Sequence, residues 1–316
     1  MGNIPTIRLE NVSKLYGDSF AVKNINFSIA QGECLALVGH NGAGKTTLIK
    51  LVLGLLQPSS GELSIMGGSP QDTNFDKLRE DIGFLPEQVL FQTNMTGREM
   101  LKFYSRLKNA KLNQIDGLFE RVDLLAAADN KISTYSKGMR QRLGLAQALI
   151  GHPKVLILDE PTSGLDPLSR QTVYSIIDEE KKAGATVFVS SHALTELDNR
   201  IDRVAILNKG ELVAIDSIEN LRRDIGLKSI IRVSAKLQEI ETISQNFMSN
   251  ILKLEANKNQ ILLACPLDEK PILLKALFQL NLDLSNIEII DPSLEQVFMK
   301  YTLDTENTNE EIAANG

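Results

Sequence analysis

The stretch Cys34-Leu35-Ala36-Leu37-Val38-Gly39-His40-Asn41-Gly42-Ala43-Gly44-Lys45-Thr46-Thr47 decides how the chain is read. Its first five residues are apolar without alternation, as a strand buried on both faces requires, and a helical pattern runs on through Leu56. Between strand and helix stands Gly-x-x-x-x-Gly-Lys-Thr, whose glycines let backbone amides turn toward one point. A strand, a glycine loop and a helix in that order form a phosphate cradle, because the helix start adds free amides and a favourable dipole. Gly39, Asn41, Gly42, Ala43 and Gly44 would wrap a nucleotide's phosphates. Lys45 would bridge the β and γ phosphates, Thr46 would ligate Mg²⁺, and Thr47 would support the α phosphate.

Further along, Val155-Leu156-Ile157-Leu158 is a second strand of the same buried character, and it ends on Asp159-Glu160. A carboxylate at the mouth of such a strand can hold Mg²⁺ through water, which assigns Asp159 to the metal. Glu160 then becomes the group that polarises the attacking water, a contribution of roughly 10²–10⁴ in rate. Gln88 follows a short strand and its amide would reach Mg²⁺ or that water. His192 ends the buried run Val187-Phe188-Val189-Ser190-Ser191 and would donate to a γ-phosphate oxygen. Asp166 opens a turn near the carboxylates, from which it could cross to a second copy of the chain.

Tyr135-Ser136-Lys137-Gly138-Met139-Arg140-Gln141-Arg142 precedes a helix running through Leu143 and Leu149. Ser136 and Gly138 there offer a hydroxyl and free amides to an anion. The chain already has a phosphate loop, so the economical source of that anion is nucleotide held by another copy.

The remaining pattern is that of an α/β protein. Residues 7–15, 20–29 and 61–66 read as antiparallel strands, whereas 155–158 and 186–189 each lead into helical sequence at 167–183 and 193–200, implying a sheet with parallel strands. Strand signals stop between Gln88 and Gly151, where a helical insert opens with a capping box at Thr96 and Glu99. Strands at 203–207 and 211–216 and a capped helix from Ser217 close a first domain, assigned to residues 1–228. The pattern restarts at Ile230 with strands at 230–234, 260–264 and 286–290 and helices at 239–250 and 269–280, a small α/β unit of ferredoxin-like type over 229–302. Residues 303–316, with four acidic residues and no Lys or Arg, read as a disordered tail.

Composition excludes several classes. With 316 residues and 43% hydrophobic content there is material for one large domain and one small. A net charge of −6 and a pI near 5.3 argue against a nucleic-acid partner. Neither a secretory leader nor an apolar run long enough to cross a bilayer is present in the sequence, so a membrane role is expected to be peripheral. Cys34 and Cys265 form neither a disulfide framework nor a finger spacing, and His40, His152 and the dispersed methionines suggest no copper site.

These segments, in this order, resemble the ATP-binding subunit of ABC transporters over residues 4–228. The resemblance implies an ABC-type P-loop domain of α/β class, with a mixed sheet core, an antiparallel β subdomain and a helical insert. ATP and Mg²⁺ are then the cofactors, and two copies sandwich two ATP to drive a separate transmembrane permease from the cytoplasmic face of the inner membrane. Gln88, Asp166 and His192 fall on the family's Q-, D- and H-loops, and Tyr16 falls on the aromatic that stacks on adenine. The signature loop, usually Leu-Ser-Gly-Gly-Gln, is changed to Tyr135, Lys137 and Met139 at three places while Ser136 and Gly138 remain. Intact Glu160 and His192 oppose a regulator without turnover, and a single ATPase segment opposes a soluble ribosome- or DNA-acting member. The wording of residues 39–47 and 134–149 resembles the Nos-type branch, which serves copper-site assembly in nitrous oxide reductase and adds a periplasmic partner through the permease. The segment from Asp291 to Phe298 is similar to endings in that branch and in ABC-2 exporter ATPases.

Overall fold

A computed structural model describes residues 5–73, 75–191, 200–255 and 259–302, which divide after Asp216 into two compact units. The division falls earlier than the boundary at 228 read from the sequence. In the first unit the strands are β1 (Ile7–Tyr16), β2 (Ser19–Ile29), β3 (Cys34–Val38), β4 (Ser60–Ile65), β5 (Ile82–Leu85), β6 (Val155–Asp159), β7 (Thr186–Ser191), β8 (Arg203–Asn208) and β9 (Glu211–Asp216). Its helices are α1 (Lys45–Val52), α2 (Phe75–Arg79), α3 (Gly97–Leu107), α4 (Ile115–Arg121), α5 (Lys137–Ala148) and α6 (Pro167–Lys182).

Two sheets carry this unit. The first is antiparallel in the order β2-β1-β4, and apolar residues such as Ile7, Leu9, Ile25 and Ile29 turn inward from it. The second has the order β5-β6-β7-β3-β8-β9, parallel except for β9. Every residue of β3, β6 and β7 is buried, which explains why these strands lack the alternation of one-sided strands. Leu35, Leu37, Ile157 and Phe188 share a core with Leu48 and Val52 of α1 and with the inner face of the antiparallel sheet.

α3 begins as the sequence predicts. Thr96 Oγ1 accepts from the Glu99 amide at 3.1 Å while Glu99 Oε2 accepts from the Thr96 amide at 2.8 Å. Just past its other end, Lys108 Nζ donates to the carbonyls of Ile82 at 2.8 Å and Ile150 at 3.3 Å. The helical insert is thereby tied to the start of β5, and burial lowers the Lys108 pKa.

The second unit holds α7 (Ile218–Asp224), β10 (Lys228–Ala235), α8 (Leu237–Asn246), β11 (Ile251–Glu255), β12 (Gln260–Pro266), α9 (Lys270–Gln279) and β13 (Leu284–Ile290). Its sheet, β11-β12-β10-β13, is antiparallel throughout, the order of a split βαβ unit. Ile231, Val233, Ile261, Leu263 and Cys265 face Ile240, Ile243, Leu273 and Leu277 of the helices in a separate core. The sequence misses β11. Ile251-Leu252-Lys253-Leu254-Glu255 continues the helical spacing of α8, and only pairing with β12 identifies it as a strand. Both cysteines are free and buried, and burial pushes the Cys34 thiol up to about 12, so it packs as a small apolar group. The expected tail lies outside the described residues, as do His192 and most of the helix predicted over 193–200.

Candidate functional site

The carboxyl ends of β6, β7 and β3 lie side by side, in register as Asp159 with Ser190 and Val38 with Ser191. Beyond such ends an α/β sheet opens its ligand crevice. Here the crevice is a cleft of about 690 Å³ whose lining includes Gly39, Lys45, Thr46, Thr47, Asp159 and Glu160.

The phosphate loop forms one wall. Gly44 stands before α1 with φ +105, a left-handed conformation closed to most side chains, and a Cβ there would come within 2.5 Å of the Ala21 carbonyl. No side chain caps α1, so the amides of its first turn are not taken up by a capping residue. Asn41 and Gly42 also line the cleft, whereas Ala43 is buried and fixes the loop from behind, its carbonyl accepting from the Gly210 amide at 3.0 Å. His40 turns its Nε2 to Asn208 Oδ1 at 2.9 Å, which leaves the loop backbone as its contribution.

Lys45 is buried. Its ammonium donates to the Gly39 carbonyl at 2.7 Å and lies 3.8 Å from Glu160 Oε1. Opposite it, Asp159 Oδ1 accepts from Ser190 Oγ at 2.6 Å, and the same hydroxyl accepts from the Glu160 amide at 2.9 Å. Ser190 therefore fixes both acids. Burial raises the Asp159 pKa; the Ser190 bond acts against that, and the neighbouring Glu160 charge adds to it. Glu160 takes φ +49, a conformation a glutamate adopts only where its surroundings hold it.

The donor set suits a hard divalent cation. Thr46 Oγ1 lies 3.5 Å from Asp159 Oδ2, giving one hydroxyl and one carboxylate oxygen. No group of three or more His, Cys, Asp or Glu forms a self-sufficient cage among the described residues. Mg²⁺ matches this sparse set, since it keeps waters and draws its other ligands from phosphate.

The structure does not gather every predicted residue into the cleft. Gln88 is exposed and lines a smaller hollow of about 250 Å³ with Lys137, Arg140, Gln141 and Ser163, while its neighbour Glu87 lines both. Tyr16 is half exposed near the tip of the β1–β2 hairpin, with Lys14 Nζ 5.3 Å from its ring centre. Ser136 caps α5, accepting from the Met139 amide at 3.2 Å, and Tyr135 is anchored by its hydroxyl on the Ala127 carbonyl at 2.7 Å. Neither Ser136 nor Gly138 lines the cleft. Asp166 caps α6, accepting from the Ser169 amide at 3.0 Å and its hydroxyl at 2.7 Å, bonds that lower its pKa. Sequence reasoning missed Ser190, Ala21 and Glu87. A small polar residue at the end of the buried run from Thr186 was the available signal for Ser190; the other two are recognisable only once the strands are placed.

Comparison with known proteins agrees with this geometry. The ABC transporter family matches residues 22–163. An uncharacterised ABC transporter ATP-binding protein of Bacillus subtilis is 35% identical over 98% of this chain and 99% of its own length. The bacitracin transport ATP-binding protein of Bacillus licheniformis is 32% identical over 93% and 96% respectively. An ATP-binding cassette solved as a dimer in a post-hydrolysis state, with ADP and phosphate, superposes with a TM-score of 0.62 at 25% identity, covering 67% of this chain and 98% of that one. The chain belongs to the ABC transporter ATP-binding proteins: it is an ATPase subunit that takes ATP with Mg²⁺ and works in an ABC transporter.

Proposed function

We propose that two copies of this chain close head to tail on two ATP molecules and drive a separate membrane permease, the chain itself staying peripheral on the cytoplasmic face. The convergence of Lys45, Thr46, Asp159 and Glu160 at three adjacent strand ends carries this reading. Lys45 and the loop amides hold the β and γ phosphates, with Thr47 at the α phosphate. Thr46 and Asp159 hold Mg²⁺, which neutralises charge on the phosphates when bound. Glu160 accepts a proton from the attacking water, its backbone fixed by the Ser190 hydroxyl, which accepts from the Glu160 amide. Ser136 and Gly138 meet the γ phosphate of the partner's ATP, Asp166 and His192 complete the shared site, Gln88 senses the insert, and Tyr16 stacks on adenine. No helix among the described residues is long and apolar enough to cross a membrane, in keeping with a separate permease. Residues 1–228 handle the nucleotide, and residues 229–302 serve dimer contact or regulation.

The cargo reading that draws most support is export by an ABC-2 type permease. The bacitracin transport protein shares nearly the whole length of this chain, including the second unit. A Nos-type role in copper-site assembly, with a periplasmic partner reached through the permease, rests on the wording of residues 39–47 and 134–149. Glu160→Gln is expected to lower turnover at least 100-fold while an ATP-bound dimer accumulates, and Lys45→Ala to lose ATP binding; undiminished turnover in the first overturns the role of Glu160. Membrane isolation of the tagged chain, with identification of co-purifying proteins by mass, separates the cargo readings. A permease linked to drug tolerance supports export, one whose loss silences nitrous oxide reductase supports the Nos type, and recovery with ribosomes alone overturns both.

A further inference from the structure

β13 closes one side of the second unit's sheet and pairs with β10 alone. Among the described residues the backbone of residues 285–290 makes no hydrogen bond outside that pairing. A strand so placed presents a row of free amides and carbonyls that another extended segment can take up. The other sheet edges of the chain are blunted. β5 is four residues long, while β2, β4 and β11 each lose register with their neighbour and carry Lys23, Glu62 and Lys253. β9 begins on Glu211, which is ion-paired with Lys23 of β2, and ends on Asp216. β13 lacks such protection. Its pairing with β10 is unbroken from Asn286 to Ile290, it holds neither Lys nor Pro, and Ile289 on it stays 44% exposed. Its one charge, Glu288, is shared with Arg232 of β10 in an ion pair.

The residue pattern of this edge fits its own copy. Two identical edges related by a two-fold axis run antiparallel, each facing the same patch on the other. With the axis at Ile287, Asn286 stands opposite the partner's Glu288, an amide donor against a carboxylate, and the symmetry makes that pair twice. Ile287 then meets the partner's Ile287, a β-branched pair suited to a sheet. An axis one residue on, at Glu288, would instead set like charges directly opposite each other.

We propose that the second unit is a self-pairing module: the β13 edges of two copies join antiparallel about Ile287, so that their two sheets become one. This rests on the two-copy reading above and assigns the dimer contact within residues 229–302 to one strand. The pairing needs no nucleotide. It keeps two copies together after hydrolysis, so that the next closure on ATP takes place between tethered partners.

Sedimentation of the full chain and of its Asn286→Glu and Asn286→Lys variants over a concentration series tests this, with melting temperature as the control for folding. Without nucleotide the parent chain is expected to dimerise. Asn286→Glu sets like charges opposite each other at two places and is expected to weaken that dimer about tenfold, whereas Asn286→Lys is expected to hold it at least as tightly. Amide hydrogen exchange over residues 284–290 is expected to slow in the parent dimer relative to the dilute monomer. A parent that stays monomeric, equal dimer Kd values in all three chains, or exchange unchanged by dimerisation would each overturn the pairing. Exchange already slow in the monomer would mean that the edge is covered within one chain, and overturns it too. If Asn286→Glu melts early, the exchange of the parent dimer decides alone. Sedimentation of Glu160→Gln with Mg²⁺ and ATP keeps the two readings apart. A Glu160→Gln dimer that ATP does not tighten overturns the ATP sandwich, whereas one that ATP tightens while β13 exchanges freely overturns only the strand pairing.

Discussion

Ser190 shows how one hydroxyl sets the chemistry of two acids. It donates to Asp159 and accepts from the Glu160 amide, so it favours the charged form of the first and fixes the backbone of the second. Asp159 is pulled in opposite directions, upward by burial and the Glu160 charge, downward by this bond and by the Lys45 charge, and the upward pull wins. A raised carboxyl pKa penalises the ionised form that Mg²⁺ needs. Protons therefore compete with Mg²⁺ for this carboxylate, and the Mg²⁺-dependent rate is expected to fall along an acid limb as pH drops. Ser190→Ala removes the downward pull and is expected to move that limb to higher pH, measured as kcat/KM against pH. A limb that stays in place, or moves to lower pH, would show that another group controls it.

At the scale of elements, the loop before α1 and the cap before α3 depend on backbone geometry in different ways. Gly44→Ala forces a side chain into a left-handed conformation, at about 1–2 kcal/mol, and drives its Cβ against the Ala21 carbonyl. Loss of nucleotide binding together with an early urea midpoint is the expected result, because the loop cannot keep its shape around a Cβ. Thr96→Ala breaks the capping box of α3 instead, and is expected to cost about 1 kcal/mol in a urea titration. Its site lies away from the cleft, so KM for ATP should be retained. A Thr96→Ala chain with normal stability would mean that the Lys108 bonds to Ile82 and Ile150, and the apolar face of α3, hold the insert unaided.

For the whole molecule, nucleotide bound only by the folded state adds to stability by mass action. Mg²⁺ with a non-hydrolysable ATP analogue at a hundred times its Kd is expected to add about 2.7 kcal/mol, read as a rise in melting temperature. Lys45→Ala should abolish the rise, and chelation of Mg²⁺ should reduce it. A shift that survives Lys45→Ala would place the nucleotide elsewhere than the cleft at the ends of β3, β6 and β7.

The strand, glycine loop and helix from Cys34 to Val52 were legible in the sequence, as were the acids after Val155 and the capping box at Thr96. Each is encoded within a few residues, by unbroken apolar runs, by glycine spacing and by reciprocal caps, and needs no distant partner to be recognised. Tertiary structure alone decided that β7 stands between β3 and β6, which brings Ser190 to Asp159 across a long separation in sequence. It also decided the strained backbone of Glu160, the pairing that makes β11 a strand, and the place of Gln88 outside the phosphate cleft. The reason is physical. Local sterics and periodicity select the type of an element, but its neighbours are chosen by joint burial of surfaces from distant segments, and no short window of sequence contains both sides of that choice.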